Sequence, residues 1–157
     1  MEIRKAVPKD LKQVRALNKQ AVPNVNDIGN KELKYFLDTA SLFLVAESDD
    51  EILGFMILLA PGLDYESLNY RFFAGNYTDF LYVDRIVVKP SEQRNGIGKA
   101  LYNEIIHLNP GKKITCEVNV VPYNAASLAF HKAMGFKEIA QQVTENGKKK
   151  VSLQIRN

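Results

Sequence analysis

Cysteine occurs once in the 157 residues, at Cys116, which excludes an internal disulfide. Only two histidines accompany it, so the chain is short of the ligands that a structural zinc site needs, and no metal is expected. No apolar run approaches the roughly 20 residues required to span a membrane. The start, Met1-Glu2-Ile3-Arg4-Lys5, has no signal-peptide core, and the expected location is the cytoplasm. Charge of one sign is not in excess: a net +3 is too mild to argue for a nucleic-acid partner. The run Lys148-Lys149-Lys150 after Asn146-Gly147 reads as a solvated hairpin strand. Repeats and low-complexity tracts are lacking. What is present is ordinary for a folded soluble protein, with 46% apolar and 25% charged residues. The length suits one domain, residues 1–157, burying roughly two thirds of its unfolded surface.

Periodicity supplies the elements. Residues 2–6 alternate as a strand, and Pro8-Lys9-Asp10 opens a helix with Leu11, Val14, Leu17 and Ala21 on one face. Residues 23–27 break it, and a shorter helix over 31–39 carries Leu33, Phe36 and Leu37. Strands 41–47 and 51–59 flank Ser48-Asp49-Asp50, a turn composition, and form an antiparallel hairpin. Residues 63–79 hold Tyr65, Tyr70, Phe72, Phe73 and Tyr77 among several charges. That aromatic density suits a ligand wall or a long loop with its rings in a satellite core. Further strands follow at 80–88, 113–120, 136–143 and 148–155, with helices after the glycines at 96–98 and over 124–134.

The centre of the chain is the passage from the strand ending at Val88, through Pro90 and a polar turn, into a helix entered by Gly96 and Gly98. The first turn of a helix has unpartnered N–H groups and positive dipole character, so an anion is stabilised there. The glycines admit a phosphate close to the backbone, and Arg94 and Lys99 add two cations, which suits a pyrophosphate. Spacing separates the nucleotide motifs. A Walker A loop fails because Lys99 is followed by Ala100 and no hydroxyl is available for magnesium. A dinucleotide fingerprint is weak because its third glycine is replaced by Leu101.

The remaining pattern, Gln93-Arg94-x-Gly96-x-Gly98, resembles the acetyl-CoA pyrophosphate loop of the GNAT N-acetyltransferase superfamily. A second motif, Pro122-x-Asn124-x-x-Ser127-x-x-Phe130-His131-x-x-x-Gly135-Phe136, resembles the later GNAT motif, with His131 where the family usually has tyrosine. The resemblance implies an α/β GNAT fold, a mixed sheet of about seven strands with about four helices in the order βααβββαβαββ. It implies acetyl-CoA as co-substrate, contacted by Ile86, Val87, Val88, Gln93, Arg94, Asn95, Gly96, Ile97, Gly98, Lys99, Asn124 and Phe130.

The implied reaction is direct acetyl transfer in a ternary complex onto a primary amine of a small molecule or an amino terminus. An alkylamine with a pKa near ~10 is protonated at neutral pH, so a base is required. Asp84 and Glu117 match positions where family members carry such acids, and either is also suited to a structural ion pair. His131 is the candidate donor to the departing thiolate, with Tyr123, Tyr82 or water as alternatives. Asn124 suits the coenzyme arm or a helix N-cap equally. Tyr65, Tyr70 and Tyr82 are the expected acceptor-lining residues, and Asp64, Glu66, Asp79 and Asp84 could hold a cationic acceptor. Cys116 is expected in the core. A homodimer is compatible with the family. Two other functions remain: a non-catalytic acyl-CoA-binding regulatory module, motivated by His131, and a protein-modifying acetyltransferase.

Overall fold

Turn residues and apolar periodicity set the element boundaries in the computed structural model, which describes residues 1–157. In chain order these are β1 (Glu2–Lys5), α1 (Leu11–Ala21), α2 (Asn30–Thr39), β2 (Leu42–Ser48), β3 (Glu51–Leu59), α3 (Leu68–Asn76), β4 (Leu81–Val88), α4 (Ile97–Leu108), β5 (Ile114–Val121), α5 (Ala125–Ala133), β6 (Lys137–Thr144) and β7 (Lys149–Arg156). The seven strands make a mixed sheet in the order β1-β2-β3-β4-β5-β7-β6. The fold class is therefore the expected α/β one. Five helices are present where about four were expected, because residues 63–79 are not all loop. Ser67 begins the extra helix by accepting a hydrogen bond from the Tyr70 amide at 3.3 Å.

Two compact units divide the chain, Met1–Leu59 with Asp84–Pro110, and Ala60–Val83 with Gly111–Asn157. In the first, β2 and β3 pair antiparallel, with Ser48 opposite Glu51, and both turn residues, Asp49 and Asp50, have positive φ (51° and 63°). That geometry matches the right-handed strand twist in a two-residue hairpin. β1 adds antiparallel to β2. Helix α1 packs on β3 and α2, and α4 packs on β1, β2 and β3. Val14, Leu17, Leu33, Phe36, Phe55, Leu101 and Ile105 are buried in this unit.

Gly54 on β3 marks a close approach that the sequence reading passed over. A Cβ there would stand 3.0 Å from the Val87 carbonyl oxygen and 3.1 Å from Ile97 Cγ2. Only a hydrogen fits, so β4 and the first residue of α4 can press against β3. The Lys89 amide then bonds to Leu53 O at 2.8 Å. These contacts fix the take-off point of the loop between β4 and α4.

In the second unit β4 opens parallel to β5, Leu81 with Ile114 and Tyr82 with Thr115. β5 pairs antiparallel with β7, and β7 with β6. Tyr70, Phe73, Phe80 and Tyr82 form an aromatic core here, with Val118 and Leu153 also buried. The satellite-core alternative for the aromatic segment is thus realised by α3, which contributes Tyr70 and Phe73, three residues apart on one helical face.

Candidate active site

Helix α4 begins without a side-chain cap. Its N-cap is Gly96, with φ 85° and ψ 3°, and no side chain bonds the first amides. The loop before it turns tightly: Glu92 N bonds Lys89 O at 2.8 Å, Asn95 N bonds Glu92 O at 3.3 Å, and Arg94 adopts φ 68°. Ala100 N closes the first helical bond to Gly96 O at 2.9 Å. The amides ahead of it lie within the turn where a helix has no internal acceptors. A Cβ built on Gly96 meets nothing within 4 Å. Gln93, Arg94, Asn95, Gly96 and Lys99 are exposed, whereas the Ile97 side chain is buried, so Ile97 can offer a ligand only its backbone. Gly98 is half-buried. The loop and helix start thus present bare amides flanked by two cations, which is the chemistry that accepts a pyrophosphate.

Four residues before this loop ends its strand, Asp84 is engaged with its neighbour. Arg85 Nε donates to Asp84 Oδ2 at 2.9 Å, and the two side chains are only 8% and 4% exposed. Arg85 also donates to Asn18 Oδ1 at 2.9 Å and to Asn26 O at 3.0 Å, while Asn18 Nδ2 donates to Asn26 O at 3.0 Å. The structural ion pair considered for Asp84 is present. Asn18 and Asn26 were missed from sequence, although a polar Asn18 beside Leu17 on the buried face of α1 was the available signal.

In the second unit Tyr82 OH donates to Glu117 Oε2 at 2.7 Å. Glu117 is half-exposed between buried Cys116 and Val118 on β5. Tyr70, expected to line the acceptor, is instead 1% exposed. Its hydroxyl donates to Ala60 O at 2.8 Å and accepts from Leu63 N at 3.0 Å. With its hydroxyl committed to backbone and its ring in the core, Tyr70 anchors the turn after β3. Tyr82 is 0% exposed and likewise presents no surface to an acceptor. Tyr65 remains half-exposed, its ring edge-on to Tyr70 at 5.6 Å.

Helix α5 settles Asn124 as a cap: its Oδ1 accepts from Ser127 N at 3.2 Å. Only its NH₂ group is left to meet the coenzyme arm. Phe130 is half-buried and edge-on to His131 at 5.2 Å. His131 is 3% exposed, and its Nδ1 lies 2.8 Å from Ser127 O and 3.2 Å from Ser127 Oγ. Phe136 meets the ring from another side at 5.3 Å. Burial pushes the imidazole below its ordinary pKa, and the Ser127 carbonyl opposes this only in part. Both observations weigh against the expected donor role: the lowered pKa favours the neutral ring, and a carbonyl only accepts, so Nδ1 carries a proton toward Ser127.

A buried neutral histidine makes stability depend on pH. Because the folded pKa is below 6.5, the unfolded chain binds the proton first as pH falls. Stability is complete above 6.5 and declines, by up to about 1.4 kcal/mol per pH unit, until the folded value is reached. His131→Phe, which keeps a ring between Phe130 and Phe136, is expected to remove this portion of the slope in urea titrations between pH 7.5 and 5.5. An unchanged slope would assign it to other groups.

Two cations and two acids also pair outside these sites: Lys112 bonds Asp79, and Lys89 bonds Glu51. Among the four acids expected to attract a cationic acceptor, Asp79 and Asp84 are thus already engaged with Lys112 and Arg85. No helix is long and apolar enough to cross a membrane.

The chain is 32% identical over 102 residues to the peptidyl-lysine N-acetyltransferase YjaB of Salmonella typhimurium, a match covering 65% of this chain and 54% of that protein. The match thus spans about half the length of that relative. Among solved structures, Ard1 from Thermoplasma volcanium superimposes with a TM-score of 0.80 at 16% identity, over 99% of this chain and 95% of its own. The ribosomal-protein-alanine N-acetyltransferase from Brucella melitensis gives 0.73 at 20% identity, over 99% of both chains. Those two likenesses speak to the fold. The model of the acetyltransferase (GNAT) family matches residues 11–136, which include both the uncapped start of α4 and the whole of α5, and the chain belongs to that family.

Proposed function

We propose that residues 1–157 act as one domain, an acetyl-CoA-dependent N-acetyltransferase that transfers acetyl directly to a primary amine. The observation that carries this is the uncapped N-terminus of α4 at Gly96, with Arg94 and Lys99 exposed beside it, in a chain of the GNAT family. The amides of residues 96–99 hold the pyrophosphate of the coenzyme, and acetyl-CoA supplies the activated acetyl group. Glu117 takes a proton from the acceptor ammonium, the freed nitrogen attacks the thioester carbonyl carbon, and the carbon–sulfur bond breaks as the thiolate departs and the nitrogen gives up its second proton to water. We assign the base role to Glu117 because the Asp84 carboxylate is held in an ion pair with Arg85, its side chain 4% exposed, whereas Glu117 meets the neutral hydroxyl of Tyr82. A thiolate of pKa near ~8.5 is a competent leaving group at neutral pH, so its proton can come from water or from Tyr123, whose ring is 72% exposed. The amides of Ile86 to Val88 polarise the carbonyl oxygen.

Two acceptor classes are in play. A small amine is one, although two of the four acids that favoured it are engaged elsewhere. A protein lysine is the second, favoured by the similarity to a peptidyl-lysine N-acetyltransferase. Thiol release from acetyl-CoA, measured on small polyamines, lysine peptides and peptides with free amino termini, separates them. Binding of acetyl-CoA without turnover on any amine would leave a regulatory coenzyme-binding module instead.

The coenzyme loop has its own test. Gly96→Asp is expected to weaken acetyl-CoA binding about 30-fold in calorimetry, roughly 2 kcal/mol. An aspartate at the N-cap supplies its own carboxylate to the amides that would otherwise meet phosphate, and adds like charge beside it. The fold persists, because the strain of an L-residue at φ 85° is confined to an exposed position at the start of α4. Unchanged affinity would remove the pyrophosphate assignment.

A further inference from the structure

Tyr82 is spent on something other than lining a pocket. Its residue is 0% exposed, and its ring is held by Tyr70 at 5.6 Å with an interplanar angle of 69° and by Phe73 at 5.9 Å. Tyr70 is in turn pinned by its two backbone hydrogen bonds at Ala60 and Leu63. A phenol so confined has a fixed direction, and that direction is toward Glu117 Oε2 at 2.7 Å. Hydrogen bonds of this length from a hydroxyl to a carboxylate are charge-assisted and strong.

We infer that Tyr82 is a positioning residue for Glu117: its hydroxyl holds Oε2 and fixes the rotamer of the carboxylate that takes the ammonium proton. The inference rests on Glu117 as the base and adds the group that aims it. A free glutamate side chain samples several rotamers, and confining it beforehand removes that entropic cost from the reaction. The phenol also favours the ionised over the protonated carboxyl, so it sets the pH below which the base is lost. Tyr82 thereby couples the aromatic core built by α3 to the reacting atoms. A merely structural tyrosine would contribute stability and leave the pH dependence alone.

The measurement is the pH profile of kcat/KM for the amine that the acceptor panel selects, in wild type, Tyr82→Phe and Tyr70→Phe. Loss of the Tyr82 hydroxyl is expected to move the acid limb upward by about one pH unit. At the pH optimum kcat should fall about tenfold, a part of the roughly 10²- to 10⁴-fold that general base catalysis contributes. The KM for acetyl-CoA should not change. Tyr70→Phe, which removes a hydroxyl from the same cluster but leaves the Glu117 bond, should leave the limb in place. Incorporating 3-fluorotyrosine at position 82 gives a stronger donor with the ring retained, and should move the limb the other way. A limb that stays fixed in Tyr82→Phe and with 3-fluorotyrosine overturns the positioning role if Glu117→Gln abolishes turnover. Full activity in Glu117→Gln would overturn the base assignment itself.

Discussion

Glu117→Gln is expected to lower kcat by about 10³-fold with little change in thermal stability, while Asp84→Asn does the reverse. General base catalysis contributes about 10² to 10⁴ in rate, and an amide cannot accept a proton at neutral pH. Glutamine keeps the length of glutamate, and its carbonyl oxygen can still accept the Tyr82 hydroxyl, so the local packing is retained. The affinity for acetyl-CoA should also persist, because the loop proposed to hold its phosphates, residues 93–99, is untouched. Asp84→Asn withdraws the carboxylate from a pair whose two side chains are 8% and 4% exposed. It weakens the compensation of a buried guanidinium, and a stability loss of about 2 kcal/mol is the expected scale after allowing for the Asn18 and Asn26 bonds that Arg85 keeps. The decisive measurement is kcat at saturating amine and acetyl-CoA, alongside thermal unfolding of both variants. If Asp84→Asn proved the more damaging to kcat at unchanged stability, the base would be Asp84.

The fold was largely legible from sequence because its signals are local. Asp49-Asp50 announced the β2–β3 turn, Gly96 and Gly135 marked a helix start and a helix end, and of the periodic positions Ile97, Ala100, Leu101, Ile105 and Leu108 in α4, Ile97, Leu101 and Ile105 are buried while Leu108 is exposed. Helix α3 escaped because its aromatic residues do not lie on one clean stripe: Tyr70 and Phe73 are buried while Phe72 and Tyr77 are only half-buried. The uncapped start of α4 was legible for the same local reason, since backbone amides at a helix start follow from chain direction alone. The reacting groups were harder. Whether Asp84 or Glu117 is engaged depends on which neighbour folds onto it, and Arg85 follows Asp84 by one residue whereas Tyr82 precedes Glu117 by 35 positions. His131 drew attention because its residue type suits proton transfer, while its surroundings are set by Ser127 one helical turn earlier and by the rings of Phe130 and Phe136, which the residue type alone does not reveal.

Asp10→Ala is expected to destabilise the protein by about 3 kcal/mol at pH 7, the largest stability effect of any single side chain considered. Asp10 is 3% exposed and stands where the chain leaves β1 and enters α1. Its carboxylate accepts from Arg4 at 2.7 and 2.9 Å, a two-pronged bond, and from the Val7 amide at 2.9 Å. Arg4 also donates to Glu47 on β2 at 2.5 Å, so one guanidinium ties the first strand to the second and to the first helix. Alanine leaves the Val7 amide without its acceptor and removes one of the two carboxylates that balance Arg4. The Arg4 side chain is 22% exposed, and water therefore moderates the loss below the upper end known for buried pairs. The pH dependence has a definite sign. The bond from Arg4 holds the Asp10 carboxyl below its ordinary 3.8, outweighing the opposing effect of burial. Since the folded pKa is lower than the unfolded one, the stabilisation is complete above 3.8 and disappears as pH falls through the folded value. Urea titrations should show the gap between wild type and Asp10→Ala constant from pH 7 to pH 5 and narrowing in stronger acid. A gap that does not narrow would mean that Asp10 stabilises as a hydrogen-bond acceptor and packing group, with its charge contributing nothing.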